Sequence, residues 1–215
     1  PWRSCNPPEE GGSQYCTYLK LQSVAPESFA EIPWTRWLSD QPECNWAGIS
    51  CDESGQVRSI DLNGQNLNGP FPEGLQYLPL LQAITMAWGS LSGTLPASFV
   101  ELQHLVNIEM QYNDFTGPIP EEWWAARHMT RLNLASNKLS GTISPRIAEA
   151  RDLRALYLQS NDIVGTMPTE LGLATNLGFI YLNKNALTGP IPSEISRMRG
   201  LEKLYLQRND LNGTI

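Results

Sequence analysis

The sequence predicts an α/β solenoid: a right-handed superhelix of stacked repeats, with a parallel β-sheet on the concave side and short helical turns on the convex side. Two observations lead to this prediction. Glycine and apolar residues recur with a 24-residue period, and a Leu-x-Leu pattern lies at the centre of each period. The glycine column consists of Gly69, Gly93, Gly117, Gly141, Gly165, Gly189 and Gly213.

The strands are predicted from two unbroken apolar columns. Apolar residues that alternate with outward-facing ones have a period of two, which indicates a short strand with one buried face. Identical strands one repeat apart then stack in parallel, about 4.8 Å from their neighbours. The first column is Ile60, Ile84, Ile108, Leu132, Leu156, Ile180 and Leu204. The second is Leu62, Met86, Met110, Leu134, Leu158, Leu182 and Leu206.

An asparagine follows most of these strands, four residues before the glycine. We expect its amide to bond backbone groups of its own turn and of the neighbouring one, which stacking would otherwise bury unpaired. The first two repeats carry Gln65 and Gly89 there instead. The asparagine column is Asn113, Asn137, Asn161, Asn185 and Asn209.

The second half of each repeat predicts the convex side. Apolar residues spaced by three and four indicate a short helical turn. Trp123 falls in one of these core columns, and Trp124 falls one place beyond it. Trp124 is either an exposed contact or a cover for its neighbour Val100, and the second interpretation is favoured.

Composition excludes several functional classes. The 215-residue chain has a net charge of −7, so it has no basic field to attract nucleic acid or an anionic membrane. No apolar run approaches the roughly 20 residues that span a bilayer. Hydrophobic residues make up 41% of the chain, which is enough to form a core.

The repeat motif carries a family resemblance. The unit L-x-x-L-x-L-x-x-N-x-L-x-G-x-I-P, seen at 153–168, resembles plant-type leucine-rich repeats. The C-x-W-x-G-I-x-C segment at 44–51 resembles their N-terminal cap, as found in receptor-like kinase ectodomains, polygalacturonase inhibitors and cell-surface proteins of algae such as diatoms. This divides the chain into a cap at 1–56 and a solenoid at 57–215. The solenoid's 159 residues give about 6.6 repeats of 24, and we expect truncation at its C-terminal end.

All four cysteines precede residue 52. We expect Cys5 to pair with Cys16, and Cys44 with Cys51, stapling the cap. Zinc is the alternative, but these spacings differ from the tight Cys pairs of structural zinc sites. Disulfides imply an oxidising compartment, so the protein is predicted to be secreted or displayed at the cell surface. A glycosylation sequon beginning at Asn212 agrees with this location.

Catalytic constellations are not apparent. Asp61 and Glu109 lie two rungs apart on the concave sheet, about 9.6 Å, near the carboxylate separation of inverting glycosidases. An open sheet has no enclosed pocket to raise a pKa, so we interpret them as solvated acids. His104 and His128 lack a third metal ligand and are interpreted as surface residues. We therefore expect no enzyme activity, no cofactor and no metal.

The outward-facing columns predict the binding surface. Tyr157, Tyr181 and Tyr205 occupy one column on three consecutive rungs and form a tyrosine ladder. Tyrosine is favoured at interfaces because it buries a large area and keeps a hydroxyl group. The alternative is structural, since stacked rings also stabilise neighbouring strands. The flanking candidates are Phe179, Gln159, Asn183, Gln207, Lys184 and Arg208.

These features predict an extracellular or cell-surface recognition module that binds a protein, peptide or glycan ligand on its concave face. Two alternatives remain open. One is a structural component of a cell wall or a larger extracellular assembly, and the other is an enzyme inhibitor like the polygalacturonase inhibitors. Nucleic acid is not an expected partner, and a membrane is expected only through a segment outside this fragment.

Overall fold

A computed structural model describes residues 43–71 and 74–213. Its fifteen strands are short, and from β2 onward they alternate between the concave sheet and the side of the solenoid. They are β1 Ile49–Cys51, β2 Val57–Asp61, β3 Asn68–Pro70, β4 Ala83–Thr85, β5 Ser90–Thr94, β6 Asn107–Glu109, β7 Asp114–Gly117, β8 Arg131–Asn133, β9 Lys138–Leu139, β10 Ala155–Tyr157, β11 Val164–Thr166, β12 Phe179–Tyr181, β13 Ala186–Gly189, β14 Lys203–Tyr205 and β15 Asp210–Leu211.

The concave sheet contains eight strands, in the order β1-β2-β4-β6-β8-β10-β12-β14. From β2 onward every pair is parallel, and each residue lies beside the residue 24 positions later, as in the register Ile60↔Ile84. Strand β1 pairs antiparallel with β2. The predicted solenoid and its strand columns are therefore confirmed.

Two further sheets run along the side of the solenoid and were not predicted. Strands β3-β5-β7-β9 form one, and β11-β13-β15 the other. They contain five of the seven glycines of the glycine column, namely Gly69, Gly93, Gly117, Gly165 and Gly189. Gly189 shows why glycine is needed: its φ is 74°, and a Cβ would lie 2.8 Å from Thr166 Cγ2 of the preceding repeat.

The convex side consists of 3₁₀ helices, which agrees with the predicted helical turns. Trp123 stacks on Phe99 of the preceding repeat, with ring centroids 5.3 Å apart, and its Nε1 donates to Pro96 O at 2.8 Å. Trp124 is only 1% exposed, so the alternative of an exposed contact is wrong. The convex helices are Leu75–Tyr77, Ala97–Glu101, Glu121–Ala125, Pro145–Glu149, Thr169–Leu173 and Ser193–Arg197, and a further 3₁₀ helix, Glu43–Asn45, lies in the cap.

The asparagines form a continuous ladder of hydrogen bonds between repeats. Asn137 Nδ2 donates to Leu134 O of its own turn and to Met110 O of the preceding repeat, each at 3.0 Å. Its Oδ1 accepts from the backbone N–H of Phe115 at 3.1 Å. The same three bonds recur at Asn113, Asn161, Asn185 and Asn209. The expected role of this column is thus confirmed.

The described part of the cap is held by a disulfide and by one close backbone approach. Cys44 and Cys51 are bonded, as expected. Gly48 has a φ of 79°, its carbonyl accepts from Asp61 N at 2.7 Å, and a Cβ would overlap the carbonyl oxygen of Asp61. Cys5 and Cys16 lie outside the described residues, so their pairing stays a prediction.

Asp52 anchors the turn between β1 and β2. Its carboxylate accepts from the Ser54 hydroxyl at 2.6 Å and from the Gln56 N–H at 3.0 Å, and it pairs with Arg58 at 2.7 Å. These partners, led by the Ser54 hydroxyl, lower the pKa of Asp52 to about 2. The folded turn therefore stabilises the charged form of the Asp52 carboxylate.

Replacing Asn137 with alanine is expected to reduce the free energy of unfolding by about 1–3 kcal/mol, because buried backbone groups in two repeats lose their partners. Chemical denaturation measures the change. Asn68→Ala serves as the matched control, since Asn68 is exposed on the lateral strand β3. Equal losses in the two variants would contradict a special role for the asparagine ladder.

The stabilising effect of Asp52 is expected to disappear in acid. The folded-state pKa of about 2 lies below the ordinary 3.8, so the contribution is complete above pH 3.8 and is lost as pH falls through about 2. Asp52→Asn should therefore have a lower melting temperature than the wild type at neutral pH. The difference in melting temperature should disappear in strong acid. Thermal melts across this pH range test the prediction, with Glu53→Gln as control. A pH-independent gap would show that the charge is not responsible.

Candidate functional site

The tyrosine ladder is in register on the concave sheet. Tyr157, Tyr181 and Tyr205 end strands β10, β12 and β14 and are direct neighbours in the parallel pairing. Their ring centroids are 4.9 Å and 4.5 Å apart, and the planes are tilted by 45° and 35°. The one-repeat spacing of the sequence thus becomes a contact between rings.

The ladder is less exposed than the sequence suggested. Tyr157 and Tyr181 are half-buried, and only Tyr205, at 38%, retains a large exposed fraction. Rings separated by one strand spacing cover each other's faces, which explains the difference. The interpretation of three exposed tyrosines is therefore wrong for the first two.

The flanking candidates lie around the ladder on the same rungs. Phe179 begins β12 and is half-buried, with Lys203 Nζ 6.0 Å from its ring centroid. Gln159 and Asn183 are half-buried, and Gln207 is exposed. Lys184 and Arg208 are exposed immediately after the strands. The structure thus brings all nine predicted ligand-binding residues to one end of the concave face.

Three cations and one buried acceptor beside the ladder lack salt-bridge or hydrogen-bond partners among the described residues. Within the part of the chain that the structure describes, Lys184, Lys203 and Arg208 form no salt bridge. Gln159 Oε1 is buried and accepts no hydrogen bond from the described residues. These rungs therefore present three cations that no salt bridge of the described residues neutralises.

Arg131 belongs to the site but was not selected from sequence. Its guanidinium carbon lies 4.7 Å from the centroid of the Tyr157 ring, and its Nε lies 3.0 Å from Glu109 Oε1. Asn107 Nδ2 also donates to Glu109 Oε1, at 3.3 Å. Glu109 is thus an ion-paired, half-buried residue, and its interpretation as a solvated acid is wrong. Arg131 lies on the repeat before Tyr157, in the outward-facing column next to that of the tyrosines. This position is the sequence signal that could have identified it.

A second aromatic pair lies at the other end of the same face. Trp88 and Tyr112 follow strands β4 and β6, and their rings stack with centroids 3.8 Å apart and planes 15° apart. Both are exposed, by 57% and 43%. The two residues are 24 positions apart in the sequence, so they occupy the same position in consecutive repeats.

The other sequence candidates lie apart from this face or on its margin. Asp61 is exposed at the end of β2. His104 and His128 are exposed, and His128 Nδ1 lies 3.9 Å from Asp152 Oδ2. Among residues 43–71 and 74–213, no three potential metal-ligating side chains cluster. Asn212 is exposed, but Thr214 of its sequon is not described, so glycosylation stays a prediction.

The fold and this face define a class: a strand-lined solenoid with a ligand-accessible concave surface. A family model described as "Leucine Rich Repeat" matches residues 128–149. The chain belongs to the leucine-rich repeat proteins, and its repeats and cap are of the plant type. No helix within the described ranges is both long and apolar enough to cross a membrane.

Plant receptors are among the proteins with similar sequence and structure. Receptor-like protein kinase 5 of Arabidopsis thaliana is 42% identical over 48 residues, which cover 22% of this chain and 5% of that protein. The HAESA ectodomain of Arabidopsis, solved with an IDA peptide hormone ligand lengthened at its N-terminus, is 33% identical with a TM-score of 0.75, covering 80% of this chain and 29% of that one. Pollen Receptor Kinase 3 is 30% identical with a TM-score of 0.72, covering 82% and 85%. The aligned segment spans only a small part of the curated relative.

The middle ring of the ladder is expected to contribute more stability than the last one. Each aromatic pair adds about 0.5–1.5 kcal/mol beyond its buried area, and Tyr181 makes two pairs where Tyr205 makes one. Tyr181→Leu should therefore cost about twice the free energy of unfolding that Tyr205→Leu costs. Chemical denaturation of both variants measures the ratio, and equal costs would show that ring stacking adds nothing here.

Proposed function

We propose that this chain is an extracellular recognition module that binds an extended peptide ligand along its concave face, across the tyrosine ladder. The observation that carries the proposal is the combination of a continuous aromatic surface with unpaired cations on the same rungs. Tyr205 supplies an exposed ring, and Lys184 and Arg208 supply charge within the same repeats. Aromatic anchors surrounded by polar groups are typical of binding hot spots.

The geometry favours an elongated ligand. The rings repeat at 4.5–4.9 Å along the solenoid, so one ligand lying parallel to that axis contacts several rungs. The three cations at the C-terminal end favour a ligand with an acidic group there. Gln159 Oε1 offers an acceptor to an N–H group once its side chain turns outward.

The relatives and the cap support the same function. The HAESA ectodomain with similar repeats was solved in complex with a peptide hormone. The Cys44–Cys51 disulfide supports an oxidising compartment, hence the cell exterior. A ligand-binding role needs no catalytic group, and Glu109 is occupied by Arg131 rather than available as an acid or base.

The test uses a random peptide display library selected on the wild-type protein, followed by affinity measurement of the selected peptides by calorimetry. Tyr205→Ala and the double variant Lys184→Ala/Arg208→Ala should each weaken binding about 10- to 30-fold, the usual cost of losing a hot-spot residue. Circular dichroism verifies that the variants are folded.

Tyr77→Ala is the matched control, because Tyr77 is an exposed tyrosine in the convex 3₁₀ helix Leu75–Tyr77. It should bind the selected peptides like the wild type. If the selection yields no peptide, or if Tyr77→Ala weakens binding as much as Tyr205→Ala, the concave face is not the peptide site.

A further inference from the structure

The Trp88–Tyr112 pair is distant in sequence from the tyrosine ladder and remains unexplained by it. Trp88 is 57% exposed, more than any other large hydrophobic residue in the described segments. Adjacent large rings exposed to solvent commonly mark interaction sites.

The fold does not require aromatic residues at these two positions. Both have left-handed backbone conformations, with φ of 61° and 58°, and so do Ser136, Ser160 and Arg208 at the equivalent position of later repeats. A serine therefore completes the turn equally well. The turn conformation alone therefore does not account for two large rings here.

One face of the Trp88 indole is stacked, and the residue next to its other face in the register has no side chain. Tyr112 covers the face toward the following repeat. On the preceding repeat the equivalent residue is Gly64, and a Cβ built there would meet nothing within 4 Å. Strand neighbours are about 4.8 Å apart, so this rung leaves a slot wide enough for one planar group against the indole.

The strand that precedes Gly64 ends in an acidic residue, beside Thr85 of the Trp88 repeat. Asp61 ends β2 three residues before Gly64, is exposed, and forms no salt bridge within the described residues. Nearby basic side chains are already neutralised: Arg58 pairs with Asp52 at 2.7 Å and Arg131 with Glu109 at 3.0 Å. A tryptophan face attracts cations more strongly than other aromatic faces do.

We propose that the slot formed by Trp88 and Gly64 binds an arginine side chain of a peptide or protein partner, with the guanidinium stacked on the indole and paired with Asp61. Arginine suits this site better than lysine because its planar guanidinium stacks on aromatic faces and binds carboxylates through two donors. The site is separate from the tyrosine ladder and does not depend on it.

The test follows Trp88 directly by ¹⁹F NMR of the protein labelled with 5-fluorotryptophan. The chain has seven tryptophans, and the signal of Trp88 is assigned by its loss in Trp88→Ser. N-acetyl-arginine methylamide should shift this signal saturably. The citrulline analogue, which has the same shape without the charge, should not. The lysine analogue should bind at least about threefold more weakly, since it lacks the stacking plane.

Two variants locate the binding site. Asp61→Asn should weaken arginine binding about three- to tenfold, whereas Asp162→Asn, which removes an exposed charge in a later repeat, should leave it unchanged. Gly64→Arg should abolish the ¹⁹F shift, because the new side chain would itself occupy the slot. Arg208, at the equivalent position of a later repeat, shows that this backbone conformation accepts an arginine.

Three results would overturn the proposal. Equal shifts with the arginine and lysine compounds, reduced alike by both aspartate variants, would indicate nonspecific attraction to an acidic protein. A shift with methyl β-glucoside and none with arginine would indicate a sugar platform instead. No shift with any compound would show that the rings are not a site. None of these results bears on peptide binding at the tyrosine ladder.

Discussion

The buried asparagine amide is the interaction on which the rest of this structure depends. A stack of short strands leaves backbone carbonyls where the chain leaves the sheet, and each buried carbonyl left unpaired would cost about 1–3 kcal/mol. Asn137 and its equivalents each bond two carbonyls and one N–H across adjacent repeats. Repeats joined in this way share one register, so every outward column becomes a straight row.

Because the columns form straight rows, residues one period apart in the sequence become neighbours on the surface. With a register of 24 residues, identical positions become neighbours about 4.8 Å apart, which is the distance at which aromatic rings touch. The tyrosine ladder and the Trp88–Tyr112 pair both arise in this way, at opposite ends of one face. Charge is distributed along the same axis, from Asp61 at one end to Lys184 and Arg208 at the other. A ligand lying along the face therefore meets different chemistry at each end.

The sequence was sufficient to predict which residues form the candidate site, but not which contacts they make with one another. Register places Tyr157, Tyr181 and Tyr205 side by side, and sequence alone is sufficient for that. The ion pair of Arg131 with Glu109 crosses from one column to another and depends on the rotamers of two long side chains. The stacking of Trp88 on Tyr112 likewise depends on the direction in which a left-handed residue projects its side chain. Such contacts have no periodic signature.

The sequence by itself determined the repeat length, the strand columns, the asparagine ladder and the Cys44–Cys51 disulfide, because each depends on spacing along the chain. Tertiary structure decided how deeply each side chain is buried, since exposure depends on neighbours from other repeats: Tyr181 is covered by two rings, and Trp124 is enclosed. It also decided that the glycine segments pair as lateral strands. The local sequence there indicates a turn, and only the neighbouring repeat supplies the hydrogen-bond partners that make it a sheet.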